Sequence, residues 1–343
     1  MKSSIKKLAA PLGIALAGAL ALSGCAGPAD SETVSDDGLP IVRMQGVVAD
    51  PMGIPVLLIE EMGLDIKHGF DLEWQEGDPA GGTQPFLMGQ AELGPGDGVS
   101  AAIANAEGHD TVAYYPFMTN TASIVASAES GIRTPADLKG KRVGHFGSDS
   151  GTTQAITLTL ADGWGIDVGA DMELVESSPA VLPELLAQGE VDAIFDYEPY
   201  GDRAMQLTDG VRVLTVADYW QDTIDWAPPL AMLWSNRAWM EENPQTAQAV
   251  VAAFTEAQQI IIDAGYSTFT QEPYKSFLNL ADDAELDRLV AYCNELPCYT
   301  NTWDAADVEH MNDWLAMMRE RGMLPETVGT DPIATVETVT AGG

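Results

Sequence analysis

The sequence predicts an α/β protein of two lobes between which the chain crosses twice. Three observations carry this expectation. Short apolar, strand-like runs alternate with helix-like stretches across loops of a few residues, the rhythm of a mostly parallel sheet covered by helices. That rhythm halts near residue 121 and restarts, and a strand-like run at 228–235 then leads back to the first unit, followed only by helical sequence. With 343 residues and 46% apolar content, the chain has ample material for a core and a length suited to roughly two domains.

The N-terminus reads as a leader. Lys2, Lys6 and Lys7 precede an apolar run from Leu8 to Leu22, which is shorter than the roughly 20 residues that cross a bilayer. Leu22-Ser23-Gly24-Cys25 resembles the bacterial lipobox, in which cleavage precedes a cysteine that carries lipid. The expectation is a lipoprotein signal peptide over 1–24, lipid attachment at Cys25 and a flexible acidic tether over 25–38.

In the body of the chain, 39–48 reads as a strand and 53–62 as a short helix stopped by Gly63. The alternation at 70–75 predicts a second strand. A helix at 83–88, a strand at 91–94, an alanine-rich helix at 99–107 and a strand at 111–117 complete the first rhythm. The second begins with an extended run at 123–128. Thr134 and Pro135 open a one-turn helix. Strands at 141–146, 173–175, 191–195 and 211–216 alternate with helices at 152–163 and 181–188. Beyond the returning strand, helices are predicted at 245–264, 273–278, 284–293 and 305–321. With no sheet of their own, these helices are expected to pack on the first lobe. The lobes are thus 39–124 with 227–343, and an inserted 125–226.

Composition excludes several functions. The chain holds 16 basic and 52 acidic residues, a net charge of −36. Nucleic acid demands a basic face that so few cations cannot supply. An anionic membrane surface repels the folded domain as well, so attachment to a membrane has to be covalent or through a partner. Cys293 and Cys298 flank four residues that include Pro297, a spacing that permits a local disulfide in an oxidising compartment, with two free thiols as the alternative. No complementary CxxC or His pair completes a zinc site, and no metal or cofactor is expected.

Together with the lipobox and the two-lobed rhythm, the segment Gly131-Ile132-Arg133-Thr134-Pro135-Ala136-Asp137-Leu138-Lys139-Gly140-Lys141-Arg142-Val143-Gly144, followed by Gly147-Ser148, resembles extracytoplasmic solute-binding proteins of ABC importers. Within them it is most similar to the nitrate/sulfonate/taurine and thiamine-precursor (NMT1/THI5-like) group, over about residues 40–325. The run from Gln188 to Ile194 is a second such piece. The resemblance implies a type II periplasmic-binding-protein (Venus-flytrap) fold, closure on a small solute, delivery to a membrane permease and no catalysis. Fungal enzymes in the group use an active-site histidine and a cysteine-rich iron segment. Here His68, His109, His145 and His310 are scattered and no cysteine cluster exists. A monomer is expected.

Ligands of doubly wound units sit beyond the C-terminal ends of strands, which selects loops. Ser148, Asp149, Gly151 and Thr152 open a helix whose free N–H groups can meet a ligand. Asp196, Tyr197 and Glu198 end an apolar strand. Asp97 lies between glycines that allow close backbone approach. Asp50 and Met52, with Phe117 and Asn120, come from the first lobe, and Trp220 and Trp226 precede the returning strand. These loops contain acids and aromatics but no lysine or arginine. That pattern suits a planar, amine-bearing solute such as a thiamine-pyrimidine precursor better than nitrate or a sulfonate, which usually want a cation.

Overall fold

Two five-stranded sheets organise the described residues, which in this computed structural model are 34–46, 49–75, 83–325 and 331–341. The expected signal peptide, Cys25 and the tether up to residue 33 lie outside them. The strands are β1 (Ile41–Gln45), β2 (Asp71–Gln75), β3 (Leu93–Gly96), β4 (Thr111–Met118), β5 (Ser123–Ala126), β6 (Arg142–His145), β7 (Glu173–Glu176), β8 (Ala193–Asp196), β9 (Val211–Thr215) and β10 (Ala231–Asn236). The first sheet runs β2-β1-β3-β10-β4 and the second β7-β6-β8-β5-β9. Each sheet holds one strand antiparallel to both neighbours: β10 between β3 and β4, and β5 between β8 and β9. These are the strands that follow the two passages between sheets, at 119–122 and 225–230. Each sheet is therefore mostly parallel with one reversed strand, since a strand arriving from the other sheet enters in the reverse sense.

The helices are α1 (Ile54–Met62), α2 (Leu64–His68), α3 (Gln84–Leu87), α4 (Gly98–Ala106), α5 (Gly151–Trp164), α6 (Val168–Asp171), α7 (Leu182–Ala187), α8 (Tyr200–Thr208), α9 (Val216–Ile224), α10 (Arg237–Glu242), α11 (Pro244–Asp263), α12 (Tyr274–Leu278), α13 (Asp283–Glu295), α14 (Ala305–Glu320) and α15 (Val336–Thr340). Their boundaries follow local chemistry. Gly63 adopts φ 61° and closes α1, a conformation that costs glycine nothing. Thr134 and Asp137 form a reciprocal capping box around a one-turn 3-10 helix at Pro135–Leu138. The Ser150 hydroxyl accepts from the Thr153 N–H at 3.1 Å and starts α5. β4 is buried along its whole length although it ends the first sheet. Its outer edge is covered at Ala113, whose N–H donates to the Pro332 carbonyl and whose carbonyl accepts from Ala334, which removes an open edge.

The C-terminal helices do not pack on the first unit alone. α11 lies against α1 and α2, and α14 against α4, but α13 packs on α8. Arg288 pairs with Asp202 at 2.6 Å, Arg203 with Glu285 at 2.7 Å and Arg321 with Asp162 at 2.6 Å. Trp220 on α9 meets Trp314 on α14 edge-on at 6.1 Å, both fully buried. Amphipathic faces alone do not tell a helix which of two neighbours it will bridge.

Cys293, in the last turn of α13, is joined to Cys298. The loop so closed delivers the Pro297 and Cys298 carbonyls to Thr119, which donates its hydroxyl at 2.5 Å and its N–H at 3.0 Å. The disulfide thus ties α13 to the first passage between sheets. Replacing both cysteines with serine is expected to cost about 2 kcal/mol, the loop-entropy value for so short a closure, measured as a fall in the urea midpoint at unchanged m-value.

Candidate functional site at the facing strand ends

The C-terminal ends of strands from both sheets meet, and buried carboxylates concentrate there. Asp50, beyond β1, caps the turn Pro51–Gly53, accepting from the Met52 N–H at 2.8 Å. Its other oxygen accepts the Tyr197 hydroxyl at 3.0 Å, and Tyr197 follows β8 of the second sheet. The Tyr299 hydroxyl donates to the Pro51 carbonyl at 2.6 Å and fixes the same turn. Asp50 has no exposed surface. Burial pushes its carboxyl up to about 6, against the opposing pull of the Met52 N–H and the Tyr197 hydroxyl.

Asp196 ends β8 and is likewise fully buried. One carboxylate oxygen accepts from the Tyr197 N–H at 3.0 Å, and the other, Oδ2, has no hydrogen-bond partner among the described residues. Burial holds this carboxyl well above the usual carboxylate range. The Glu198 charge adds to the effect, while the Tyr197 N–H and the Arg203 charge oppose it. Ser123, the register partner of Asp196 on β5, has a buried hydroxyl that is also unpartnered. Phe146, Tyr197 and Tyr200 form an edge-on aromatic series with centroids 5.7 and 5.4 Å apart. The Arg203 guanidinium lies 5.5 Å over the Tyr200 ring.

Glu198 is engaged differently. It forms an ion pair with Arg212 on β9, accepts the Asp202 N–H at 3.0 Å, and donates its own N–H to the Thr121 hydroxyl at 3.3 Å. Arg212 in turn lies 5.2 Å over the Tyr292 ring on α13. The site loops carry no cation, but the fold supplies Arg203 from α8 and Arg212 from β9 beside two of the acids.

A second centre adjoins α4 and α5. Asp97 follows β3 and caps α4, accepting from the Ser100 N–H at 2.9 Å and the Ser100 hydroxyl at 2.8 Å. Its carboxyl presses on Gly151, the first residue of α5. A Cβ at Gly151 would lie 2.2 Å from the Asp97 carboxyl carbon, so no other residue fits there without displacement. Burial raises the Asp97 carboxyl above its ordinary value. Asp97, Asn120, Gly151, Thr152, Leu230 and Trp314 are among the walls of a cavity of about 10 Å³, room for about one water.

The remaining sequence-selected residues are placed apart from these centres or serve packing. Phe117 is buried against Phe254, and Trp220 is buried in α9 with its indole N–H on the Thr159 hydroxyl at 2.9 Å. The stretch at 218–225 is thus helix rather than loop. Trp226 donates to Asp307 at 3.1 Å and stacks on His310. Ser148 and Asp149 are exposed, and Met52 is half-buried. Tyr200 closes the loop Asp196–Tyr200 that the sequence singles out, whereas reasoning from loops missed Phe146, Arg203 and Arg212. Among the described residues, no group of three or more His, Cys, Asp or Glu side chains could hold a metal, and no helix is long and apolar enough to cross a membrane.

The NMT1/THI5-like family model matches residues 51–264, more than half of the chain. The chain belongs to the NMT1/THI5-like family. A Brucella abortus protein whose name assigns it a binding role is 26% identical over 233 residues, covering 65% of this chain and 67% of that one. Among solved structures, the alkanesulfonate-binding protein SsuA of Xanthomonas axonopodis pv. citri, bound to MOPS, superposes with a TM-score of 0.68 at 18% identity, over 86% of this chain and 98% of that one. The periplasmic nitrate-binding protein NrtA of Synechocystis superposes with a TM-score of 0.63 at 16% identity, over 87% and 84%. The family member described here therefore has the type II periplasmic-binding-protein fold.

Proposed function

We propose that this family member is the substrate-binding lipoprotein of an ABC importer, held outside the cytoplasmic membrane through Cys25. It captures a small planar, nitrogen-bearing organic solute, of which a thiamine-pyrimidine precursor is the model, and passes it to a permease without chemical change. One lobe, 39–124 with 227–343, receives the solute, and the other, 125–226, closes over it.

The observation that carries the solute class is the unpartnered, buried Oδ2 of Asp196 beside Tyr197 and Tyr200. A buried carboxylate oxygen without a donor is costly, and a ring amine or ring N–H supplies the missing bond while aromatic edges and faces hold the ring. The fully buried Asp50 and Asp196, with the half-buried Asp97, bring three acids to facing strand ends. An amine-bearing solute relieves that excess of negative charge, whereas nitrate or a sulfonate adds to it.

Calorimetric titration of the chain from Ala26 with a 4-aminopyrimidine tests the reading. Binding is expected, and Asp196→Asn is expected to weaken it roughly 10- to 100-fold, the worth of one charge-assisted hydrogen bond, with unchanged circular dichroism. Unaltered affinity would remove Asp196 from the site. Binding of ethanesulfonate or nitrate in place of the amine would overturn the solute class and leave the transport role.

A further inference from the structure

We infer that Ser123 is a specificity-determining residue of the solute site: its hydroxyl and the Asp196 carboxylate together read the edge of a heterocycle on which an amino group stands next to a ring nitrogen. This rests on the amine-bearing solute reading above and narrows it from any planar amine to that donor–acceptor edge.

Ser123 and Asp196 are direct partners across β5 and β8, so their side chains leave the same face of the sheet with Cβ atoms about 5 Å apart. Neither residue has any exposed surface, and among the described residues the Ser123 Oγ and the Asp196 Oδ2 both lack a hydrogen-bond partner. Two residues further into the sheet the same face turns apolar, where Val125 and Ile194 are partnered in their place and pack with Leu182 and Ala204. A hydroxyl and a carboxylate oxygen at this position forgo water and gain nothing inside the protein. Such a pair is explained by a partner that comes from outside.

The nearby groups that could satisfy the pair are committed elsewhere. The other Asp196 oxygen already holds the Tyr197 N–H, and the Glu198 carboxylate holds Arg212 and the Asp202 N–H. Gly201, in the first turn of α8, offers no side chain, and a Cβ there would lie 3.2 Å from the Ser123 Oγ and 3.0 Å from the Glu198 Oε1. Tyr197 and Tyr200, the chain neighbours of Asp196 and Gly201, bring the edge-on aromatic series beside the pair. A carboxylate only accepts, whereas a hydroxyl also donates. An exocyclic amine can therefore donate to Asp196 while the adjacent ring nitrogen accepts from Ser123. A ring that carries the amine alone leaves the hydroxyl unsatisfied.

The test is calorimetric titration of the chain from Ala26 with two probes, 4-aminopyrimidine and aniline. Aniline keeps the ring and the amine and lacks the ring nitrogens. The unaltered protein is expected to bind 4-aminopyrimidine roughly tenfold more tightly than aniline, the usual worth of one hydrogen bond. Ser123→Ala is expected to lose that preference through weaker 4-aminopyrimidine binding, with aniline affinity unchanged. Without ligand, Ser123→Ala is expected to melt at or above the temperature of the unaltered protein, because the hydroxyl it removes has no internal bond to lose. Four results would each overturn the role of Ser123 and leave Asp196 in place: no preference in the unaltered protein, undiminished 4-aminopyrimidine affinity in Ser123→Ala, equal losses for both probes, or a lower melting temperature without ligand. An unaltered protein that binds neither probe would overturn the solute reading, and the role of Ser123 with it.

Discussion

Arg212→Met is expected to destabilise the folded chain by about 3–5 kcal/mol, because it strands the Glu198 carboxylate in the interior. Glu198 is 1% exposed, and Arg212 is its only cationic partner among the described contacts. Burial already pushes the Glu198 carboxyl up, and Arg212 is the main influence holding it down. Removing the cation leaves burial unopposed, so the residue either folds protonated or pays its full desolvation. The double variant Glu198→Leu with Arg212→Met is expected to recover most of the loss, since two apolar groups of similar volume replace a pair whose own net worth is small. Urea melts of the single and double variants check this directly. A single variant as stable as the parent would show that water reaches the pair.

Stability is expected to rise as pH falls from 7 toward 5, the reverse of ordinary acid sensitivity. Asp50 is the cause. Its carboxyl titrates near 6 when folded and near 3.8 when unfolded, so between those values the folded chain holds a proton that the unfolded chain has lost. Stability then decreases with rising pH across that window, and the ionisation cost is complete above about 6. The shift corresponds to something on the order of 3 kcal/mol at neutral pH. Asp97 and Asp196, raised for the same reason of burial, act in the same direction. Below about 4 the trend reverses as Asp171 and Asp192, held low by Lys139 and Arg142, take up protons and lose those partners. Asp50→Asn is expected to flatten the slope between pH 5 and 7 while leaving the acid limb intact, and melting temperatures across that range measure it. A slope unchanged by the substitution would assign the effect to the other acids.

What the sequence made legible follows from how local each signal is. α1 with its Gly63 stop and the one-turn helix opened by Thr134 and Pro135 are each decided within a few residues, and each stands where the sequence places it. α8 and α9 were not legible. α8 begins after Pro199 without a side-chain cap, α9 begins at Thr215 without one, and both are rich in acids and aromatics that read equally well as loop. Asn236 ends β10 and also caps α10, a helix not placed from the sequence. The acids proposed for the site were selected because strand ends in such folds are predictable places. Their partners were not, because Arg212 reaches Glu198 across a sheet and Glu285 reaches Arg203 from a distant helix. Pairing of that kind exists only once the sheets and helices have assembled.

The placement of β10 sets an order of assembly. The second sheet draws all five strands from the continuous stretch 123–215, so every pairing it needs is available once that stretch exists. The first sheet is different: β3 and β4 are not neighbours, and only β10, more than a hundred residues further along, joins them. Until residues 231–236 arrive, β4 has no partner within its sheet, and a strand that is buried along its whole length in the folded chain stands open. Closing so long a loop is slow compared with local pairing. The inserted half is thus the natural nucleus of this molecule, and the half that contains both ends of the folded chain is the last to be sealed.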